Sequence, residues 1–140
     1  YGQEVTGVDI SDGSFPSRRH TADGSHYHCL KRDAAHLSFA KDGSADAVVS
    51  MWAMHEMAKP EAILREANRI LRPGGEIFIV DFPHDSLAQR LWNEEYYRPG
   101  EIEVLLRNAG FEQVQGRVIE QEQVMWARGY RAREAAAKKG

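Results

Sequence analysis

The chain has 140 residues, 42% hydrophobic and 28% charged, and its 18 basic and 21 acidic side chains leave a net charge of −3. That is the size of one globular domain with a modest core, and no basic cluster marks a nucleic-acid partner. No apolar run approaches the roughly 20 residues that span a bilayer, so no membrane partner is expected.

The residues from Tyr1 carry neither the basic nor the apolar stretch of a secretory leader. Cys29 is the single cysteine and cannot close an intrachain disulfide, so a reducing, cytoplasmic setting is expected. It reads as a half-buried strand residue.

In chain order, extended segments alternate with helical ones, the pattern of an α/β domain with a mainly parallel sheet. Glu4 to Ile10 reads as the first strand, with Val5, Val8 and Ile10 suited to a pleated setting. Residues 11–25 lack apolar periodicity, contain Pro16 and read as a long loop. His26 to Lys31 is a second strand, and Asp46 to Met51 a third. Pro60 opens a helix whose Ile63, Leu64, Ala67, Ile70 and Leu71 share one face, and Arg72-Pro73-Gly74-Gly75 ends it. The uninterrupted Ile77-Phe78-Ile79-Val80 within Glu76 to Phe82 predicts a strand buried on both faces.

Ser86 can cap a short helix bearing Leu87, Leu91 and Trp92. Pro99 opens another, with Ile102, Leu105, Leu106 and Ala109 on one face and Gly110 closing it. Phe111 to Ile119 and Gln123 to Tyr130 read as an antiparallel hairpin. A folded domain over 1–132 is expected, followed by a polar tail over 133–140 with a frayed helical end.

This order, with four motifs along it, resembles the class I S-adenosylmethionine-dependent methyltransferases of the small-molecule type. The four are Val5-Thr6-Gly7-Val8-Asp9-Ile10-Ser11, Lys31-Arg32-Asp33-Ala34, Ser44 to Met51, and Leu64 to Gly75 leading into Ile-Phe-Ile-Val-Asp. The last is the most specific, but it is architectural: it identifies a fold better than a reaction. The resemblance implies a Rossmann-like sheet with a C-terminal hairpin and S-adenosylmethionine as cofactor. It casts Asp9, followed by Ile10, as the acceptor for the ribose hydroxyls at a strand's carboxyl end. It casts Asp33 as acceptor for the adenine amine, with the Ala34 amide on a ring nitrogen. Ser50, Met51 and Trp52 would line the cofactor and substrate pocket, with Met54 and Met57 either beside them or in the core.

The family's glycine-rich first loop supplies close backbone approach to the cofactor, and these 140 residues contain no Gly-x-Gly-x-Gly. Two alignments stay open. In one, Glu4 to Ile10 is the family's second strand and the first strand–helix unit is missing, so the sheet is truncated or minimal. In the other, Val8 to Ser14 is a degenerate glycine loop. A fragment, a strand supplied by a partner chain or a homo-oligomer, and a minimal variant would each account for this.

Methyl transfer from a sulfonium depends heavily on alignment. If a base is required, His55 and Glu56, just past the third strand, are the best-placed catalytic candidates. Asp81 faces the same edge of the sheet; His84, Tyr96 and Tyr97 could reach the pocket from the following segment, but surface placement is the favoured reading for each. His26, His28 and Cys29 do not make a metal set, because Cys29 points to the opposite face of its strand from the histidines. The acceptor reads as a small molecule. A non-catalytic interaction module and a nicotinamide-dependent oxidoreductase are the competing readings, and the second lacks its Gly-x-Gly-x-x-Gly.

Overall fold

The computed structural model describes residues 4–11, 13 and 24–133. Most of the 11–25 loop, part of the alternative glycine loop and the helical end at 134–140 lie outside the described residues. The chain forms two compact units, residues 1–39 and 40–140.

In the first unit, β1 (Glu4–Asp9) and β2 (His26–Lys31) pair in parallel, from Glu4 opposite His26 to Asp9 opposite Lys31. The amide of Arg32 donates to the Asp9 carbonyl at 2.9 Å, which carries the pairing one step past the strands. His28 Nε2 lies 2.8 Å from Glu4 Oε2, so its ring has an acidic partner across the pair. Cys29 is a half-buried free thiol on β2, as expected.

The second unit holds β3 (Ala45–Met51), a 3₁₀ turn (Met54–Glu56), α1 (Pro60–Ile70), β4 (Leu71–Asp81), α2 (Leu87–Trp92), α3 (Pro99–Asn108), β5 (Glu112–Ile119) and β6 (Val124–Tyr130). Its sheet runs β3-β4-β6-β5, with β3 parallel to β4 and the other two pairs antiparallel. Among the described residues, parallel and antiparallel pairs are therefore equal in number, and the expected C-terminal hairpin is present.

Both long helices begin with proline, whose missing N–H costs nothing in the first turn. Ser86 Oγ accepts from the Gln89 amide at 3.3 Å and caps α2 as its sequence position suggests. The core lies between one sheet face and the pair α1 and α3, and contains Leu64, Ala67, Ile77, Ile79, Ile102, Leu106, Phe111, Met125 and Ala127. Each fully buried Leu or Ile there contributes about 1.5–3 kcal/mol. α1 and α3 are tied by Asn68 Nδ2, which donates to the Ala109 carbonyl at 2.8 Å. The Gly110 that closes α3 has φ +97°, a conformation few other residues hold without strain.

Two expectations need correction. Leu71 does not belong to the α1 face: it is already extended, pairs with Ala45 and is completely buried. The four residues Arg72 to Gly75 then loop out before Glu76 resumes pairing at Ala47. Gly75 is needed there because a Cβ would fall 2.9 Å from the Arg72 carbonyl oxygen and 3.0 Å from that of Asp46. Arg131 donates to the carbonyls of Arg69 and Leu71, satisfying the exposed C-terminus of α1.

The second correction concerns β4. Ile77 and Ile79 are fully buried, but Phe78 and Val80 on the opposite face are only half-buried. That face is covered in part by Trp126, whose ring stacks on Phe78 with centroids 6.0 Å apart.

Candidate functional site

In the first unit, the candidate cofactor residues sit at the carboxyl ends of β1 and β2. Asp9 is half-buried and its Oδ1 accepts from the Ser11 amide at 3.2 Å; Ile10 beside it is 74% exposed. Asp33 is exposed, and its Oδ1 accepts from the Ala35 amide at 2.9 Å, while Ala34 is half-buried. Each carboxylate is thus held by a backbone amide two residues on, which fixes its orientation at the strand ends. The parallel pairing puts both acids on one edge, where open α/β sheets bind ligands.

In the second unit, β3 and β4 also run parallel, and their carboxyl ends bring His55 and Asp81 together. Asp81 ends β4 and is 1% exposed. Its Oδ1 accepts from the Phe82 amide at 2.8 Å and its Oδ2 from the His55 amide at 2.9 Å. The same carboxylate meets His55 Nδ1 at 2.9 and 3.0 Å. A buried carboxylate is tolerable here because both oxygens are engaged.

On the far side of the ring, His55 Nε2 lies 2.9 Å from Glu94 Oε2 and 3.5 Å from Glu56 Oε1. The His55 side chain is 7% exposed, those of Glu94 and Glu56 46% and 69%. A ring that donates from both nitrogens is the imidazolium; a neutral ring can donate to Asp81 or to Glu94, but not to both. His55, Glu56 and Glu94 also present three ligand atoms close enough to share a cation.

Aromatic rings pack this edge. Tyr96 is 6% exposed and lies 4.4 Å from the His55 ring, which corrects its expected surface placement. Phe82 contacts Trp52, Trp92 and Tyr96 at centroid distances of 4.6, 5.5 and 5.9 Å. Trp52 has φ +59° and donates its amide to the Val80 carbonyl at 2.7 Å. A non-glycine residue in that conformation is strained, and such strain collects at functional edges. Burial, then the charges of Glu94 and Asp81, raise the Tyr96 hydroxyl above its ordinary pKa. Burial and the charges of Glu61 and Glu101 do the same for Tyr97. A small pocket of about 220 Å³ opens here, lined by His55, Glu95, Tyr96, Tyr97 and Glu101.

Of the pocket-lining candidates on β3, Ser50 is half-buried, whereas Met51 and Trp52 are 56% and 41% exposed. Met54 is core, at 1% exposed. Glu94 was not singled out by the sequence; the one signal for it is the Glu94-Glu95-Tyr96-Tyr97 string, in which acids adjoin aromatics between two helices.

Each unit has a parallel strand pair with acidic or histidine side chains at its carboxyl ends, an arrangement that belongs to α/β proteins. Comparison with known proteins gives the family. Residues 1–79 match the family described as the methyltransferase domain, and the chain belongs to it. A demethylmenaquinone methyltransferase of Thermus thermophilus is 34% identical over 84 residues, which are 59% of this chain and 38% of that protein. An arsenite methyltransferase of Aquipseudomonas alcaligenes is 39% identical over 75 residues, 53% of this chain and 21% of that one. The chain therefore spans well under half the length of these relatives.

Among solved structures, a methyltransferase from Methanosarcina mazei superposes with a TM-score of 0.72 at 17% identity, covering 94% of this chain and 83% of that one. One from Thermotoga maritima gives 0.67 at 23% identity with the same coverage. The fold is that of S-adenosylmethionine-dependent methyltransferases. No helix among the described residues is long and apolar enough to cross a membrane.

Proposed function

We propose that this chain carries the cofactor and acceptor edges of an S-adenosylmethionine-dependent methyltransferase acting on a small molecule in a cytoplasmic setting. The observation that carries the reading is the His55–Asp81 pair at the carboxyl ends of two parallel strands, in a chain of the methyltransferase-domain family.

The residues fit the cofactor's chemistry. Asp9 and Asp33 are two oriented acceptors on one sheet edge, suited to ribose hydroxyls and to an adenine amine. Ser50 Oγ, at the end of β3, is buried with no hydrogen-bond partner, and a bound polar group would satisfy it. When bound, S-adenosylmethionine supplies a methyl group activated by a sulfonium.

The chain's own part is to hold, orient and deprotonate. Asp9 and Asp33 accept from the nucleoside, while Met51 and Trp52 offer apolar and aromatic surface. Asp81 fixes the His55 ring through Nδ1, so that Nε2 is the atom turned towards an acceptor. An acceptor that bonds to Nε2 displaces Glu94, and Glu56 stands by as a second carboxylate.

Calorimetric titration with S-adenosylmethionine and S-adenosylhomocysteine tests the cofactor half. Micromolar binding abolished by Asp9→Ala is the expected result. Absence of heat and of thermal shift with both ligands refutes it for this chain and favours the non-catalytic module.

A further inference from the structure

The charge around the acceptor pocket is one-sided. Glu95 and Glu101 line it, Glu94 and Glu56 meet His55 Nε2, and Asp81 lies behind the ring. Among the described residues, no lysine or arginine pairs with Glu56, Glu94 or Glu95 within 4.0 Å. The His55 ring lies against three carboxylates, those of Asp81, Glu94 and Glu56. The remaining wall is aromatic, from Tyr96 and Tyr97, with Tyr96 backed by Phe82. Burial first, and the neighbouring carboxylates after it, raise the hydroxyl pKa values of both tyrosines.

Carboxylates beside ring faces stabilise an organic cation twice, by charge and by cation–π attraction. They repel phenolates, carboxylates and phosphates, and they gain nothing from a neutral alcohol. A bare divalent ion would use His55, Glu56 and Glu94, but it would leave the two ring faces without a role. The volume, about 220 Å³, is that of roughly seven waters at ~30 Å³ each, enough for a small amine.

We infer that the acceptor of this site is a small organic amine, bound as its ammonium between the Glu95 and Glu101 carboxylates and the rings of Tyr96 and Tyr97. The inference rests on the methyltransferase reading for its chemistry, though binding can be tested without it. The bound ammonium gives one proton to Nε2 of His55, which lines the pocket, and this frees the nitrogen lone pair. That pair forms the N–CH₃ bond as the methyl–sulfur bond breaks, and the bonding electrons return to sulfur, turning the sulfonium into a neutral thioether. The N-methylated product leaves as an ammonium, and the proton on His55 goes to solvent.

The test uses the full chain and three isosteric probes, benzylamine, benzyl alcohol and benzoate, with binding read from NMR shifts of the Tyr96 and Tyr97 amides near neutral pH. The expected result is benzylamine binding about tenfold tighter than benzyl alcohol, with benzoate weakest. Glu95→Gln and Tyr97→Leu should each reduce that preference, and added salt should weaken it. Equal binding of amine and alcohol overturns the inference, as does Mn²⁺ occupying the site and expelling benzylamine. A second arm supplies methyl-labelled S-adenosylmethionine: label in N-methylbenzylamine supports the inference, and label confined to neutral acceptors overturns it. Amine-selective binding with no label transferred to any acceptor counts instead against the methyltransferase reading.

Discussion

Asp81→Ala and Asp81→Asn should destabilise the chain by different amounts, and the order follows from donor counting. Asp81 accepts from three donors, the amides of Phe82 and His55 and the ring Nδ1, at 2.8–2.9 Å from an almost fully buried position. Removing one partner of a buried charged pair costs about 3–5 kcal/mol, and Asp81→Ala strands all three donors, so that range applies. Asparagine keeps one acceptor oxygen, which can serve the Phe82 amide. Its NH₂ can donate to Nδ1 once the ring proton has moved to Nε2, where Glu94 accepts it. Only the His55 amide then lacks a partner, at about 1–3 kcal/mol.

At about 4 °C per kcal/mol for a chain of this size, Asp81→Ala lowers Tm by roughly 12–20 °C and Asp81→Asn by roughly 4–12 °C. Urea unfolding followed by tryptophan fluorescence, with unchanged m values, gives the free energies. Equal losses in the two variants, or a loss below about 1 kcal/mol for Asp81→Ala, would refute the donor counting.

Three further outcomes are expected. Gly110→Ala forces a side chain to φ +97° and puts its Cβ 2.8 Å from Asn68 Nδ2, breaking the bond to Ala109; thermal melts should show a loss of about 2–3 kcal/mol. The turn from Glu120 to Glu122 has φ of +52°, +57° and +66° on three successive non-glycine residues, so Gln121→Gly should raise stability by about 0.5–1 kcal/mol in urea titrations. The folded-state pKa values of Tyr96 and Tyr97 are raised, so the folded chain keeps phenol protons that the unfolded chain releases above about pH 10. Stability should therefore be full below that pH and fall as pH rises through the folded values. Alkaline titration of phenolate absorbance, repeated on Tyr96→Phe and Tyr97→Phe, checks the assignment.

Helix starts were legible because proline and serine act locally: Pro60, Pro99 and Ser86 stand where an N-terminus tolerates or rewards them. The hairpin was legible from two extended runs with a short polar link. The end of α1 was not, because Leu71 is apolar and in phase with the helix, while its extended state comes from pairing with Ala45, 26 positions away in sequence. His55 and Asp81 could each be placed at the sheet edge, since each follows a recognisable strand. That they share a proton-bearing contact depends on the β3–β4 register, which no local pattern encodes. Tyr96 and Glu94 were misjudged or missed for the same reason: a polar segment between two helices looks solvated until the ring beneath it is known.

The position of Asp81 on β4 sets a hierarchy of lifetimes in the site. β4 is hydrogen-bonded on both sides, to β3 and to β6, so its amides exchange with solvent only when the sheet itself comes apart. Glu94 and Glu95 ride on an exposed connection with no strand partner and can exchange by local opening. The anchor of the histidine thus persists for as long as the fold does, while the exposed connection beside it can open and close many times without disturbing the core.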